Sequence, residues 1–114
     1  MEKIVEQTLL YDFYGELLNE HQKHIYEDAV FNDMTLSEIA EDHGISRQGV
    51  HDLIKRVNKT LEEYESKLHL ISKFMATKDK VHEINRLSNT YIESGDIECI
   101  HAITKLAEDI IDNF

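Results

Sequence analysis

Seven histidines, one cysteine and a short cationic cluster are the residues of this chain whose chemistry could carry a function. His21 and His24 stand three apart, so on a helix they share a face. Glu98 and His101 have the Glu-x-x-His spacing with which helical bundles hold paired metal ions. Such a bundle needs a second pair of that kind, and the sequence has none. It also lacks a His-Glu-x-x-His, a Cys-x-x-Cys and a phosphate-cradling glycine loop. Cys99 has no clear basic helper and sits among apolar neighbours, which suits a small core or boundary residue better than a nucleophile. Ser37, Ser46 and Ser94 are accounted for by helix capping. No catalytic residue, metal site or cofactor is expected, and the chain does not read as an enzyme.

The cationic cluster is more informative. From Thr35 to Arg56 the chain has the spacing of a helix-turn-helix. Two helices that cross steeply need a small residue at the crossing, and Ala40 supplies it. Four residues on, Gly44 suits the left-handed position of the turn. Ile45 plugs the angle, Ser46 caps the second helix, and Ile39, Val50 and Leu53 point inward. Arg47, Gln48, His51, Asp52 and Lys55 are then forced outward, where a DNA-binding arrangement meets the major groove. Within this set, Lys55 and Arg56 suit phosphates, Arg47 and Gln48 suit base edges, and His51 lies between them. Two positions depart from the usual pattern. His43 stands where an apolar residue is common, and Gly49 either weakens the first turn or allows something to approach closely.

The elements that must position this cluster are helical. With no Pro, 4 Gly and no period-2 run of six or more, the expected fold class is all-α. Six helices are expected. The first covers about residues 2 to 13 and loosens or ends near Gly15; the second opens on an Asn19/Gln22 capping box and reaches about Phe31. Thr35 with Glu38 makes another such box for the third. The fourth is expected to run from 47 to 75, roughly 43 Å at 1.5 Å per residue, because Val50, Ile54, Val57, Leu61, Tyr64, Leu68, Ile71 and Met75 keep a heptad spacing. That stripe can pack on the C-terminal helical hairpin or form a seam with a symmetric partner, and a homodimer is expected. Residues 1–114 read as one all-α domain, with 1–57 as the helix-turn-helix part and 58–114 as the long-helix extension and hairpin.

Composition bounds the function. The net charge is -11, from 12 Lys+Arg against 23 Asp+Glu, which argues against a general polyanion binder. The acid is uneven: residues 1–34 carry 2 basic and 8 acidic side chains, and 75–114 carry 4 and 8, leaving the middle nearly neutral. The charge therefore does not veto a local contact by the second helix of the motif. No stretch is apolar enough for a membrane span, and a single cysteine gives no intrachain disulfide, so a cytoplasmic protein is expected.

The run Leu36-Ser37-Glu38-Ile39-Ala40, followed by Gly44-Ile45-Ser46-Arg47-Gln48-Gly49-Val50, resembles region 4 of sigma factors. With Tyr11-Asp12-Phe13-Tyr14-Gly15-Glu16-Leu17-Leu18, Glu20, Gln22, Ile54-Lys55-Arg56 and Leu61 to Leu70 added, the chain strongly resembles the YlxM family of bacterial signal-recognition-particle-associated proteins. The resemblance covers about residues 9 to 74; beyond them the tail agrees in length and helical character. It implies a small cytoplasmic all-α protein that regulates or modulates the targeting pathway, a link resting largely on gene proximity to the particle's GTPase. Two functions follow as expectations: a regulator that binds DNA or RNA, or an adaptor that contacts the protein component of the particle.

Overall fold

The structure, a computed structural model, describes residues 3–114. It is all-α. The helices are α1 (Lys3–Tyr14), α2 (Glu20–Val30), α3 (Leu36–His43), α4 (Arg47–Leu68), α5 (Leu70–Ser94) and α6 (Ile97–Asp112), with a 3-10 turn at Gly15–Leu17. The expected start of the first helix at residue 2 lies outside the described residues. None of these helices is long and apolar enough to cross a membrane.

Both capping boxes appear as read, while Ser37 makes no cap, since Thr35 already caps α3. Asn19 accepts from the backbone N–H of Gln22 at 2.8 Å, while Gln22 Oε1 accepts from the N–H of Asn19 at 3.1 Å. Thr35 and Glu38 make the same reciprocal pair. Each box satisfies two of the four N–H groups that a helix start leaves without a partner.

The chain forms two compact units that meet in sequence between His69 and Leu70. In the first, α4 is the central element, touching α1, α2 and α3. Its inner stripe of Val50, Leu53, Val57 and Leu61 is buried, with Leu10, Tyr14, Leu18, Ile25, Tyr26, Ile39 and Ala40 completing the core. At about 1.5–3 kcal/mol for each large apolar side chain buried, this stripe is the main source of cohesion. Polar ties fix its register. Tyr26 donates its hydroxyl to Asn58 Oδ1 at 2.6 Å, and Gln7 from α1 reaches the same oxygen at 3.4 Å. Burial, with the charge of Glu62 behind it, pushes the Tyr26 phenol up to about 12, so it remains a donor at neutral pH. Tyr11 and Tyr14 donate to Glu27 and Glu65.

Helix α4 is shorter than its heptad stripe implies. It ends at Leu68, and His69 adopts the left-handed conformation (φ 57°, ψ 27°), donating its N–H to the carbonyl of Glu65 at 2.9 Å. Histidine is one of the few non-glycine residues enriched in that region, so the break carries no Gly or Pro signal. Ile71 and Met75 consequently belong to α5, a 25-residue helix that pairs with α6. The stripe from Val50 to Leu61 is used up inside its own unit and is not available as a subunit seam. Among the described residues of the second unit, Cys99 is the one buried side chain, as its apolar setting suggests.

Gly15 is needed for a close approach. A Cβ there would lie 3.0–3.2 Å from three ring carbons of Tyr11. That ring is stacked on Tyr26 at 5.6 Å and tilted against Phe31 at 5.3 Å, and its hydroxyl is held by Glu27. With no direction in which to yield, overpacking applies, and Gly15→Ala should cost about 1–3 kcal/mol. Urea titration of the variant checks this; an unchanged midpoint would show that the Tyr11 ring moves aside.

Candidate nucleic-acid interface

The corner between α3 and α4 is built by short-range chemistry. Gly44 is left-handed (φ 66°, ψ 33°) and its N–H reaches the carbonyl of Ala40, which also accepts from Ile45 at 3.1 Å. Any other L-residue at Gly44 would carry a backbone cost of about 1–2 kcal/mol. Ala40 is buried beneath the turn, Ile45 is half-buried in the angle, and Ile39 and Val50 are fully enclosed. Ser46 Oγ then accepts from the N–H of Gly49 at 2.9 Å and caps α4. A Cβ on Gly49 would stand 3.1 Å from that oxygen, so the group that Gly49 admits is the cap itself.

This corner turns one side of α4 into the core and the other to solvent. Arg47, Gln48, His51, Lys55 and Arg56 are all exposed. They border neighbouring concavities. Arg47, Gln48 and His51 border a concavity with Leu36 of α3, whereas Lys55 and Arg56 border another with Gly49 and Asp52. Lys55 and His51 also line a larger groove of about 710 Å³ whose floor includes Ile4, Val30, Met34, Leu36 and Ile54. Lys59, one turn beyond Lys55, is exposed and extends the same side. It escaped the sequence reading because it lies past the motif, although its i+4 spacing from Lys55 was visible. From Arg47 to Lys59 the helix carries four cations, Arg47, Lys55, Arg56 and Lys59, against the single anion Asp52. Among the described residues none of the four is held in an ion pair. Glu62 and Glu63 then end the positive stretch.

Asp52 organises the middle of this face. Gln48 donates its amide to Asp52 Oδ1 at 2.9 Å, and His51 Nδ1 lies 3.7 Å from the same oxygen. The other histidines stand apart from it. His24 and His101 sit on exposed helix surface beside Glu20 and Glu98, and among the described residues no three His, Cys, Asp or Glu groups converge to hold a metal ion.

A chain with this corner and this exposed helix can be compared with known proteins. A family model described as "Putative helix-turn-helix protein, YlxM / p13 like" (UPF0122) matches residues 1–100. The chain belongs to the UPF0122 family. A UPF0122 protein of Acetivibrio thermocellus is 40% identical over 111 residues, covering 96% of this chain and 95% of the relative. The UPF0122 protein YlxM of Bacillus subtilis is 38% identical over 107 residues, covering 93% and 97%. The family description is that of a helix-turn-helix protein and names no catalysis.

His43, the atypical residue before the turn glycine, also has its explanation. Its Nε2 pairs with Asp28 Oδ2 at 3.2 Å, with both side chains about four-fifths covered (21% and 22% exposed), and its ring meets His21 edge-on at 6.0 Å. The contact ties the end of α3 to α2 with a polar clasp in place of an apolar one. Hydrogen bonds from Asn32 and then from His43 hold the Asp28 carboxyl below the usual carboxylate range. A group whose folded value is depressed contributes fully above its unfolded value, about 3.9, and loses that contribution as pH falls through the folded value. The stability difference between the wild type and Asp28→Asn should therefore be present at neutral pH and shrink in strong acid. Urea midpoints across that range provide the measurement, and a difference that does not vary with pH would rule the clasp out.

Proposed function

We propose that this protein is a non-enzymatic regulator of the signal-recognition-particle pathway that contacts DNA or RNA through the first four turns of α4. The observation that carries this reading is the excess of four cations over one anion on the open side of a helix whose other side is buried. In this arrangement Lys55, Arg56 and Lys59 neutralise phosphates, while Arg47 and His51, with Gln48 once released from Asp52, reach base edges. The rest of the chain is acidic, which limits binding to this one face and keeps unspecific affinity low. The role places the protein in the cytoplasm and calls for no cofactor.

A second reading is an adaptor that binds the GTPase of the particle directly. It is favoured by the exposed acids Glu38, Glu41 and Asp42 on α3, the helix that packs against α4. They would repel a nucleic-acid backbone on that side and attract a basic protein surface.

Fluorescence anisotropy at low salt, with genomic DNA fragments and with the particle RNA, tests the first reading. Wild-type binding should weaken steeply with salt, and Arg47→Ala combined with Lys55→Ala should abolish it and flatten the salt dependence. No binding of the wild type to either nucleic acid would sink this reading. A pull-down with the purified GTPase, with and without RNA, separates the two. Capture that survives the double substitution favours the adaptor.

A further inference from the structure

The second unit, α5 with α6, has too little interior for a free-standing fold. Among its described residues Cys99 alone is buried, and the 25 residues of α5 include none. Two helices side by side cover only one strip of each other, and stable helical bundles enclose their apolar strips on a third or fourth helix.

Four exposed apolar residues, Val81 and Ile92 of α5 and Ile97 and Ile111 of α6, fall on ordered strips with small or half-buried residues between them. On α6, Ile97, Ile100, Thr104, Ala107 and Ile111 follow one another at alternating spacings of three and four, the spacing of a heptad seam. On α5, Thr77, Val81, Ser88 and Ile92 recur at four and seven. Ile92 and Ile111 are 76% and 74% exposed, and Val81 and Ile97 are more than half exposed. Thr77 and Thr104 turn their hydroxyls back to the carbonyls of Lys73 and Ile100 at 2.8 and 3.1 Å, so neither brings an unsatisfied donor into the strips.

Both strips lie on the same side of the hairpin. Where the helices pair, Ile84 and Leu87 of α5 face Cys99, Ile103, Leu106 and Ile110 of α6, all of them buried or half-buried, with Lys80 Nζ 2.7 Å from Asp109 Oδ2. At about 100° per residue, each strip is roughly a quarter turn further round its helix than the facing residues, in the same sense along its own chain direction. Because the two helices run in opposite directions, equal turns carry both strips to one side. The other side is the charged one, where Glu83, Arg86, Lys105 and Asp109 border a shallow groove.

We propose that a second copy of this chain covers this side, hairpin on hairpin, to form a four-helix bundle. A two-fold axis makes such a face self-complementary, since each strip meets its equivalent or its neighbour. Charge selects the axis. The Lys80–Asp109 pair sets Lys78, at the outer edge of the α5 strip, level with Glu108 and Asp112 at the outer edge of the α6 strip. An axis running along the helices lays α5 over the partner copy's α6 and brings these cations to these anions. The axis at right angles stacks α5 on α5 and α6 on α6, and it does not bring Lys78 to Glu108 or Asp112. The assembly would carry two helix-turn-helix motifs, and it does not depend on what those motifs bind.

Sedimentation equilibrium of the full chain across micromolar concentrations is the test. The wild type should approach twice the mass of one chain. Ile92→Glu with Ile111→Glu should return it to a single-chain mass, while Lys105→Glu on the charged side should leave the dimer intact. A wild type that stays at single-chain mass at every concentration overturns the proposal, as does a dimer that survives the Ile92/Ile111 substitutions. Should that variant fail to fold, cross-linking decides. With Cys99→Ser as background, Lys78→Cys and Glu108→Cys lie on opposite outer edges of one hairpin, too far apart for an intrachain bond. Oxidation should give a covalent dimer, and its absence overturns the arrangement.

Discussion

Everything in the first unit depends on one strip of α4. Val50, Leu53, Val57 and Leu61 must leave water, and α1, α2 and α3 are the surfaces against which they do so. That requirement determines the rotation of α4 about its own axis. Once the rotation is set, the direction of Arg47, Gln48, His51, Lys55 and Lys59 is no longer a free variable. The face offered to a ligand is the geometrical remainder of the face offered to the core. Polar contacts refine the fit without driving it: Tyr26 and Gln7 converge on Asn58, so α2 and α1 are both registered against a single oxygen of α4.

The corner that precedes α4 translates this rotation into an angle. Its parts are small and local: a left-handed glycine, a buried alanine, a half-buried isoleucine and a serine cap. The clasp between His43 and Asp28 holds the same corner from outside. A helix-turn-helix commonly packs an apolar residue at that place, and here the position is tied through a carboxylate, so its hold on the corner responds to acid. The family match is not confined to this region but covers residues 1–100.

Much of this was legible in the sequence because it is governed by neighbours a few residues apart. Capping boxes at Asn19 and Thr35, the left-handed Gly44 and the cap at Ser46 are all decided within one turn of chain, and each has a residue type that announces it. The inward strip of α4 was equally plain from its period. What could not be read depends on contacts distant in sequence or on signals that residue types do not carry. The heptad spacing runs through His69 without interruption, yet the helix breaks there, because histidine tolerates the left-handed region without advertising it. His43 gave no hint of its partner, since Asp28 lies on another helix. Gly49 was read either as weakening the first turn or as permitting a close approach, and only the folded corner shows that an atom does approach, Ser46 Oγ. The outward residues of α4 were placed on its exposed side, but their division between neighbouring concavities follows from how α3 shadows the helix.

Asp52 has a consequence for selectivity. Its carboxylate already occupies the amide of Gln48 and stands close to His51, in the centre of the exposed side of α4. A ligand that approaches there competes with an acceptor belonging to the protein itself. A bare phosphate offers those donors nothing that the carboxylate does not, and it meets a like charge as well. A ligand that brings a donor of its own, such as an exocyclic amino group, can engage the carboxylate and free Gln48 in the same step. In the proposed role the side chain would act as a resident competitor, setting a threshold that mere negative charge does not clear.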